Sequence, residues 1–434
     1  MNRKLKSAAG KQNAEPALTP KLRFPEFRDA GGWEGKTLAE ICTVNPTSDE
    51  LPESFFYIDL ESVEAGKLTA PKKINRNDAP SRAQRLLEPG DTVFQVVRPY
   101  QRNNYFFDLR ESESYVASTG YAQLRAHNSQ VFLYQVIHTD GFVNKVIAKC
   151  TGSSYPAINS SDLAEIPLEV PPDPAEQQKI AECLTTLDEV IAAQSQKLDA
   201  LKTHKKGLMQ QLFPREGETL PRLRFPEFHH APEWETQELG PKTIKVGSGI
   251  TPTGGDKNYK HTGRPFVRSQ NVGWGCLLLD DIAFIDEETH RSFRSTEIEV
   301  LDVLLNITGA SIGRSAVADA RIAGGNVNQH VCILRVKPKE LNPTFLNQYL
   351  ISQNGQKQID SFQAGGNRQG LNFAQIRTFS IPLPPSLSEQ QRIATCLTTL
   401  DDLITAHSAK LSSLKTHKKG LMQQLFPSPT EVEA

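Results

Sequence analysis

The chain has 434 residues, of which 38% are hydrophobic and 23% charged, and its formal net charge at pH 7 is −1. This composition is globular, the length predicts two or three domains, and the charge excludes a polycation, so nucleic-acid binding would have to come from local patches. No apolar run approaches the roughly 18–20 residues that span a bilayer. The N-terminus lacks the apolar core of a secretory signal, and we interpret residues 1–20 as a flexible basic tail.

Six cysteines are present, and they form neither a CxxC pair nor a zinc-binding spacing. Cys183 and Cys396 occupy equivalent places in a repeat, which favours small buried thiols. A reducing, cytoplasmic location is the expectation for such a chain.

An internal duplication organises the sequence. The motifs Lys21–Phe27 (KLRFPEF) and Arg222–Phe228 (RLRFPEF) are each followed in register by a tryptophan. A long region of unlike sequence follows each motif, and then a segment that is nearly the same in both copies. These segments, Glu176–Pro214 and Glu389–Pro427, share 30 of 39 positions without a gap. The repeated segments therefore indicate one task performed twice, and the unlike regions indicate two different tasks.

The repeated segments are predicted to be long helices. Prolines end the strand before each one, Asp173 or Ser388 can cap the N-terminus, and a glutamate suits its positive end. Leucine and isoleucine then recur at heptad spacing, interrupted by polar residues at matching places in both copies. At 1.5 Å per residue each helix would be about 58 Å long. The two apolar seams predict an antiparallel coiled-coil pair.

The repeated helix is predicted to bind protein rather than phosphate, because its first copy has five basic and five acidic residues. Its last fourteen residues, 201–214, are identical in both copies even at positions expected to be exposed. Two copies of the same partner would explain this identity. The predicted partner-binding positions are Leu201, Lys205, Leu208, Leu212, Leu414, Lys418, Leu421 and Leu425.

The unlike regions are predicted to be mixed α/β, with strands over Thr92–Val97, Val131–Ile137, Val300–Ile307 and Val331–Val336. The predicted fold class is α+β: two mixed α/β domains separated by two long antiparallel coiled-coil helices, related by a pseudo-twofold internal duplication. The predicted boundaries are 1–20 for the tail, 21–172 and 215–385 for the two domains, 173–214 and 386–427 for the helices, and 428–434 for a second tail.

Each unlike region contains a basic island, Lys67–Arg85 and Lys242–Arg268, with six basic residues and one acid apiece. Such islands in a neutral protein suit a surface that faces double-stranded DNA. Polar loops add arginine, asparagine and glutamine, which pair with guanine and adenine. The predicted DNA-binding residues are Lys72, Lys73, Arg76, Arg82, Arg98, Arg102, Lys257, Lys260, Arg268, Gln270, Asn271, Arg314, Asn328 and Gln329.

Three segments imitate catalytic motifs. Ala30–Thr37 resembles a loose phosphate-binding loop, but the other copy lacks its Gly-Lys-Thr. Asn342–Phe345 resembles the site of amino-methyltransferases without the second proline. Asp173, Glu176 and Lys179 imitate a nuclease triad at a helix start, where capping explains them. We expect neither a catalytic residue nor a metal site in this chain.

Together these motifs resemble the specificity subunit of Type I restriction–modification enzymes. The resemblance is carried by the FPEF lead-ins, the Ile-Pro-Leu runs before the helices at 166–168 and 381–383, and the EQQ-(K/R)-IA starts at 176–181 and 389–394. It implies two target-recognition domains that each read one half of a split DNA site, and helices that form a spacer and bind two methyltransferase subunits. S-adenosylmethionine, ATP and Mg are then expected only in partner subunits, with restriction/translocase subunits joining the full complex.

Two other interpretations stay open from the sequence. One is a coiled-coil scaffold whose two inserts bind proteins, and the other is an enzyme with a diverged active site. Salt-dependent, sequence-selective DNA binding would separate recognition from a scaffold, and bound S-adenosylmethionine or ATP on the isolated chain would indicate an enzyme.

Overall fold

The computed structural model describes residues 18–48, 50–110, 112–252, 254–363 and 370–427. The tails predicted at 1–20 and 428–434 lie outside the described residues, apart from 18–20. By its contacts the chain divides into unit 1, the described part of Met1–Gln194 and Lys410–Ala434, and unit 2, Ser195–Ala409. The divisions fall inside the two long helices, so each unit contains one of the unlike regions and an end of both helices.

Unit 1 contains twelve strands among its described residues. They are β1 Glu34–Thr37, β2 Cys42–Val44, β3 Ser54–Ile58, β4 Val63–Glu64, β5 Lys67–Leu68, β6 Lys72–Asn75, β7 Ala83–Leu86, β8 Thr92–Gln95, β9 Tyr105–Phe106, β10 Tyr115–Ser118, β11 Tyr121–Ala126 and β12 Pro167–Val170. Its helices are α1 Leu38–Ile41, α2 Gln130–Val136, α3 Asp140–Lys149, α4 Ser160–Ala164 and the start of α5 Pro174–Leu212.

The strands of unit 1 form two four-stranded sheets in the orders β6-β3-β10-β7 and β2-β11-β8-β9, and β1 pairs with β12. β3 and β10 run parallel, and the other pairs in these sheets are antiparallel. Strands β8 and β10 are buried along their whole length, including the polar residues Thr92, Gln95 and Ser118.

The strand predicted over 131–137 is wrong, because these residues form α2. The side chain of Ser129 caps this helix by accepting a hydrogen bond from the backbone of Phe132 (3.2 Å). Phe132, Leu133 and Val136 are buried on one helical face. A short run of aromatic and β-branched residues has strand propensity, but the cap and this buried face favour the helix.

Unit 2 contains nine strands among its described residues. They are β13 Glu235–Glu238, β14 Thr243–Ser248, β15 Arg264–Val267, β16 Ala283–Ile285, β17 Val303–Asn306, β18 Ser315–Val317, β19 Asn326–Val327, β20 Val331–Val336 and β21 Ser380–Leu383. Its helices are α6 Glu287–Ser292, α7 Pro343–Leu350, α8 Gln353–Ser361, α9 Phe373–Arg377 and the first part of α10 Leu387–Leu425.

Unit 2 repeats the strand order of unit 1, except that one of its sheets has three described strands where unit 1 has four. Its sheets have the orders β14-β20-β17-β18 and β16-β15-β19, β15 and β19 run parallel, and β13 pairs with β21. The predicted strands over 92–97, 300–307 and 331–336 are present as β8, β17 and β20. The two unlike regions therefore share one mixed α/β fold.

A buried aspartate at the start of β8 and of β17 holds each fold in the same way. Asp91 and Asp302 are each 1% exposed and form ion pairs at 2.8 Å with Arg125 and Arg335 on the neighbouring strands β11 and β20. Each aspartate raises the pKa of its arginine, mainly through their hydrogen bonds. The same aspartate–arginine ion pair thus joins equivalent neighbouring strands in both units.

The caps of the two long helices differ. Asp173 accepts a hydrogen bond from the backbone of Ala175 (2.8 Å), in agreement with the predicted cap of α5. In the second copy the helix begins at Leu387, so Ser388 lies inside it, and the capping hydroxyl belongs to Ser386, which accepts from the backbone of Ser388 (3.1 Å). The prediction of Ser388 as the cap is therefore wrong by two residues.

In each unit the start of one long helix shares a hydrophobic core with the end of the other. In unit 1, Ile180 and Leu184 of α5 share a hydrophobic core with Leu425 of α10. In unit 2, Leu212 of α5 packs in the same core as Ile393 and Leu397 of α10.

All six cysteines are free thiols. Cys42 and Cys332 are buried and Cys276 is exposed, whereas Cys183 and Cys396, which we predicted to be buried, are half-buried. No helix among the described residues combines the length and apolarity needed to span a membrane.

Candidate nucleic-acid interface and helix faces

Four polar loops of unit 2 come together at the ends of its strands. The backbone N–H of Gly249 donates to the carbonyl of Asn328 (3.1 Å), and the N–H of Asn328 donates to the carbonyl of Val267 (3.0 Å). The Asn306 side chain donates to the carbonyl of Ser269 (2.8 Å). A Cβ at residue 249 would lie 1.5 Å from the carbonyl oxygen of Val327, so this approach requires glycine.

Two side chains of the turn Arg268–Asn271 contact the same carboxylate, that of Asp281. Arg268 forms an ion pair with Asp281 (3.2 Å), and the Gln270 amide donates to the same carboxylate. The guanidinium of Arg268 also lies 5.3 Å from the ring centre of Tyr259. These contacts fix an arginine and a glutamine in orientations available to a ligand.

Asn271 and Asn328, both predicted to bind DNA, belong instead to the framework of these loops. Asn271 is buried and donates to the carbonyl of Leu278 (2.9 Å) while accepting from the backbone of Arg268 (3.0 Å). Asn328 is buried and accepts from the backbone of His330 (3.0 Å). Their burial explains why only Arg268 and Gln270 of this turn are presented.

Four further predicted residues of unit 2 lie near this surface or at its edge. Gln329 is exposed and bonded to Thr251, and Arg314 is half-buried with its carbonyl accepting from the backbone of Asn306 (2.9 Å). Lys260 is exposed, 3.9 Å from Asp286, and the exposed Lys257 lies three residues before it.

Several polar partners in unit 2 were missed by sequence reasoning. Thr308 hydrogen-bonds His330, and Thr251 hydrogen-bonds Gln329. Asp281 joins Arg268 and Gln270, as described. Threonine and aspartate are common in loops, and folding brings these partners together across as many as 78 positions, so no local signal pointed to them.

In unit 1 the predicted loop residues Arg98 and Arg102 have different environments. Both have positive φ, 56° and 55°. Arg98 stacks at 4.2 Å on the ring of Tyr155, which is 65% exposed. Arg102 forms an ion pair with Asp140 (2.6 Å), and its hydrogen bond holds the pKa of that carboxyl below its usual range. Arg98 is thus the better placed of the two for a ligand.

The basic island of unit 1 is divided by the fold. Lys72 and Lys73 lie on edge strand β6 and Arg76 follows it, whereas Arg82 precedes β7 at the opposite edge of the same sheet. Two of these charges are balanced, Lys73 by Glu113 (2.8 Å) and Arg76 by Glu50 (2.5 Å). The structure therefore does not bring these four residues into one cluster.

Arg85 on β7 was not singled out from the sequence. It is half-buried, its Nε makes no hydrogen bond within the described part of the chain, and burial lowers its pKa. An arginine with an unsatisfied donor is a further candidate contact for an anionic ligand.

The lysines that interrupt the two seams make equivalent ion pairs inside the units. In unit 2, Lys205 contacts Asp401 at 2.6 Å, and Gln348 also donates to Asp401 (2.8 Å). In unit 1, Lys418 contacts Asp188 at 2.6 Å. Both lysines are therefore committed to contacts within this chain.

The other predicted partner-binding positions divide by burial. Leu212 and Leu425 are buried in the two cores, so they are not available to a partner. Leu201, Leu208, Leu414 and Leu421 are half-buried. Exposed surface on the identical stretch is contributed by residues between them, such as Lys202, Lys206, Lys415 and Lys419.

The lead-in motifs lock the helix starts. Arg23 forms a buried two-bond ion pair with Glu176 (2.7 Å for each bond), and the Trp33 indole donates to the same carboxylate (3.3 Å). In unit 2, Arg224 and Trp234 contact Glu389 in the same way, at 2.7 and 3.2 Å. Each glutamate raises the pKa of its arginine, mainly by hydrogen bonding.

The segments that imitate catalytic motifs have structural roles. Residues 34–37 form β1 in an antiparallel pair with β12, so they are not a phosphate-binding loop. Asn342 caps α7 by accepting from the backbone of Phe345 (2.9 Å). Glu176 is occupied by Arg23, and Lys179 contacts Glu26 (3.4 Å). In the described ranges, no three His, Cys, Asp or Glu side chains form a possible metal site.

Two curated relatives match the chain over about two thirds of its length. A putative type I restriction enzyme MjaX specificity subunit of Methanocaldococcus jannaschii is 27% identical over 292 residues, 67% of this chain and 65% of the relative. The type I restriction enzyme MjaVIII specificity subunit of the same organism is 23% identical over 291 residues, 65% of this chain and 66% of the relative. The chain thus spans slightly less than two thirds of the length of each.

Two solved structures share the fold. The type I restriction–modification S subunit from M. genitalium has a TM-score of 0.62 at 17% identity, covering 95% of this chain and 100% of its own. A chain from a structure on complex assembly and conformational transition of the type I R-M system has a TM-score of 0.53 at 22% identity, covering 92% and 98%.

The model of one protein family matches both halves of the duplication. It describes the type I restriction modification DNA specificity domain, and it matches residues 31–203 and 272–416, more than half of the chain. This match confirms the resemblance that the repeated motifs indicated. The chain belongs to the type I restriction–modification DNA specificity family.

Proposed function

We propose that this chain is the DNA-recognition subunit of a type I restriction–modification complex. Residues 21–172 and 215–385 would each read one half of a bipartite site in double-stranded DNA. Helices 173–214 and 386–427 would form an antiparallel coiled-coil spacer and bind two methyltransferase subunits. The chain would be non-catalytic and cytoplasmic, with S-adenosylmethionine, ATP and Mg held by those and the restriction/translocase subunits.

One observation carries the proposal: the same fold occurs twice, with different side chains at its exposed polar loops. In unit 1 the loop after β8 presents Arg98 stacked on Tyr155, whereas in unit 2 the turn after β15 presents Arg268 and Gln270, which both contact Asp281. Arginine and glutamine can form bidentate hydrogen bonds with purine bases in the major groove. Two similar frameworks with different reading groups suit two different half-sites.

Equivalent ion pairs along the two long helices favour equivalent partner-binding sites. The arginine ion pair of Glu176 in unit 1 matches that of Glu389 in unit 2. The aspartate ion pair of Lys418 in unit 1 likewise matches that of Lys205 in unit 2. The identical segments 201–214 and 414–427 therefore pack on unit 2 and unit 1 through equivalent contacts. Their exposed residues have equivalent surroundings in the two units. Two copies of one subunit could use these faces.

A domain exchange tests DNA recognition. Residues 28–172 would be replaced by the equivalent region of another family member, which keeps the paired strands β1 and β12 together. Methylome sequencing of cells that carry the chimera with its partner subunits should show one altered half-site and one unchanged half-site. A change in both halves would refute modular reading. Absence of any methylated bipartite site with the native chain would refute the proposed function itself.

A pair of substitutions tests partner binding. Leu201→Asp combined with Leu414→Asp puts a charge at equivalent half-buried seam positions and should release the methyltransferase subunits. Thr203→Asp combined with Thr416→Asp adds the same charges at exposed positions and serves as the control. Gel filtration of the complex measures the result, and an intact complex with the leucine variant would contradict the predicted role.

A further inference from the structure

The turn after β3 in unit 1 and the turn after β15 in unit 2 occupy equivalent places in the fold. Each strand has a parallel neighbour, β10 or β19, and an antiparallel neighbour, β6 or β16. We name residues 59–62 and 268–271 the reading turns. Their bonds match: Ser62 N–H donates to the Asp59 carbonyl (3.1 Å), and Asn271 N–H donates to the Arg268 carbonyl (2.8 Å).

The side chain of the last residue also closes each turn in the same manner. The Ser62 hydroxyl accepts from the backbone of Asp59 (3.2 Å), and the Asn271 amide oxygen accepts from the backbone of Arg268 (3.0 Å). Position and hydrogen bonding therefore agree, so residues can be paired across the two turns. Arg268 corresponds to Asp59, and Gln270 corresponds to Glu61.

The equivalent positions carry opposite chemistry. Unit 2 has a cation and an amide, which together offer donors and an acceptor, whereas unit 1 has two carboxylates, which only accept. A turn that merely bound phosphate would gain nothing from carboxylates, because they repel the backbone of DNA. A turn that reads bases can use both, since carboxylates accept from the amino group of cytosine, and Arg and Gln bind guanine and adenine.

The unit 2 turn is prepared for a ligand. Asp281, 78% exposed, holds both Arg268 and Gln270. The Nε of Arg268 makes no hydrogen bond within the described residues, and neither does the side-chain oxygen of Asn306, whose amide nitrogen supports the turn at Ser269. Side chains that are oriented in advance lose less conformational entropy when a base binds.

The unit 1 turn leaves one carboxylate for a ligand. Asp59 already accepts from the backbone of Glu61 (3.0 Å) and from the Ser62 hydroxyl (2.7 Å). Glu61 is exposed at the tip. The backbone N–H of Ala65 donates a hydrogen bond to the side chain of Asn103 (3.3 Å). This bond joins the segment after the turn to the segment that follows Arg98 and Arg102.

We propose that the reading turns determine part of the specificity in each half-site: Gln270 with Arg268 reads a purine in one half, and Glu61 accepts a hydrogen bond from a base amino group in the other. This inference rests on the proposed function and assigns its base-reading positions. Gln270→Ala then removes a base contact while the Arg268–Asp281 ion pair stays. Discrimination at one base pair of one half-site falls about ten- to hundredfold.

The experiment uses the full chain assembled with its methyltransferase subunits and selects sites from random double-stranded DNA at fixed salt. Glu61→Ala should relax one base pair in the opposite half-site from Gln270→Ala. The matched control is Gln237→Ala, because the Gln237 amide also donates to a carboxylate, that of Glu235 (2.9 Å), on β13 away from the turn. The half-site left unchanged in each variant shows that the protein is folded.

Three outcomes overturn the inference. If Gln270→Ala and Glu61→Ala select the native site with native affinity, the turns read nothing. If Gln270→Ala weakens binding equally for all sequences, it has lost a backbone contact and not a base contact. If both substitutions relax the same half-site, the turns are not divided between the halves. A native complex that selects no site at all would instead refute the proposed function.

Discussion

Replacing Glu176 with leucine would remove the carboxylate that joins the first lead-in motif to the start of α5. The side chains of Arg23 and Glu176 are only 5% and 1% exposed, and two hydrogen bonds of 2.7 Å join them. The indole N–H of Trp33 depends on the same carboxylate. Leucine fills much of the space but leaves a buried guanidinium without its counter-charge.

The expected loss of unfolding free energy follows from the guanidinium and the indole N–H that lose their shared acceptor. Breaking a buried ion pair by removing one partner costs about 3–5 kcal/mol. Replacing both partners, as in Arg23→Met with Glu176→Leu, should cost less, about 1–3 kcal/mol, because chiefly the Trp33 donor then remains unsatisfied. The double variant should therefore be more stable than the single Glu176→Leu variant, although it has lost more polar groups.

Native-state hydrogen exchange is the suitable measurement, because a chain of this length is not expected to unfold in one step. Peptides from 174–194 should lose protection in Glu176→Leu and regain part of it in the double variant. Glu26→Ala is the control, since Glu26 pairs with Lys179 at the surface (3.4 Å) and its removal should leave protection unchanged. Equal protection in Glu176→Leu and Glu26→Ala would refute the reasoning.

Three further predictions concern single positions. Gly249→Ala should weaken DNA binding severely, because its Cβ would collide with a backbone carbonyl. Gly247→Ala places its Cβ in open space and should bind DNA normally. A salt titration of DNA binding compares the two variants. Alkylation at pH 8 followed by mass spectrometry should modify Cys276, which is exposed although partial burial raises the pKa of its thiol, but not the buried Cys332, where burial raises the pKa of the thiol to about 12. Burial lowers the pKa of His138 to about 4, so unfolding requires proton uptake below pH 6.5, and stability should fall by up to about 1.4 kcal/mol per pH unit from 6.5 to 4. Hydrogen-exchange protection around residue 138, corrected for the intrinsic pH dependence of exchange, should depend less on pH in His138→Gln than in the native chain, and an equal dependence would contradict this assignment.

The repeats made the long helices predictable from the sequence, because heptad spacing and flanking prolines are local signals. The strands β8, β17 and β20 were predictable from another local signal, because each contains a short run rich in β-branched and other apolar residues. The failure at α2 arose where a short apolar run fits both a strand and a helix, and only its cap and its packing decide.

The site was less predictable, because residue type does not reveal burial. Asn271 and Asn328 have the chemistry of base contacts, yet both are buried and hold loops in place. Lys72 and Arg82 lie in one basic stretch of sequence but at opposite edges of one sheet. Asp281, which organises the unit 2 turn, carries a charge opposite to the one sought in a DNA-binding surface.

The two units agree in the ion pairs of their buried carboxylates and differ in their exposed charged residues. The ion pair Asp91–Arg125 is equivalent to Asp302–Arg335. The arginine ion pairs of Glu176 and Glu389 are also equivalent. Losing one partner of a buried pair costs several kcal/mol, whereas most surface substitutions cost little. Exposed loops on such a framework can therefore change their chemistry without loss of the fold. An arginine–glutamine turn in one unit and an aspartate–glutamate turn in the other are compatible with the same architecture, which is what the two proposed half-sites of different sequence would require.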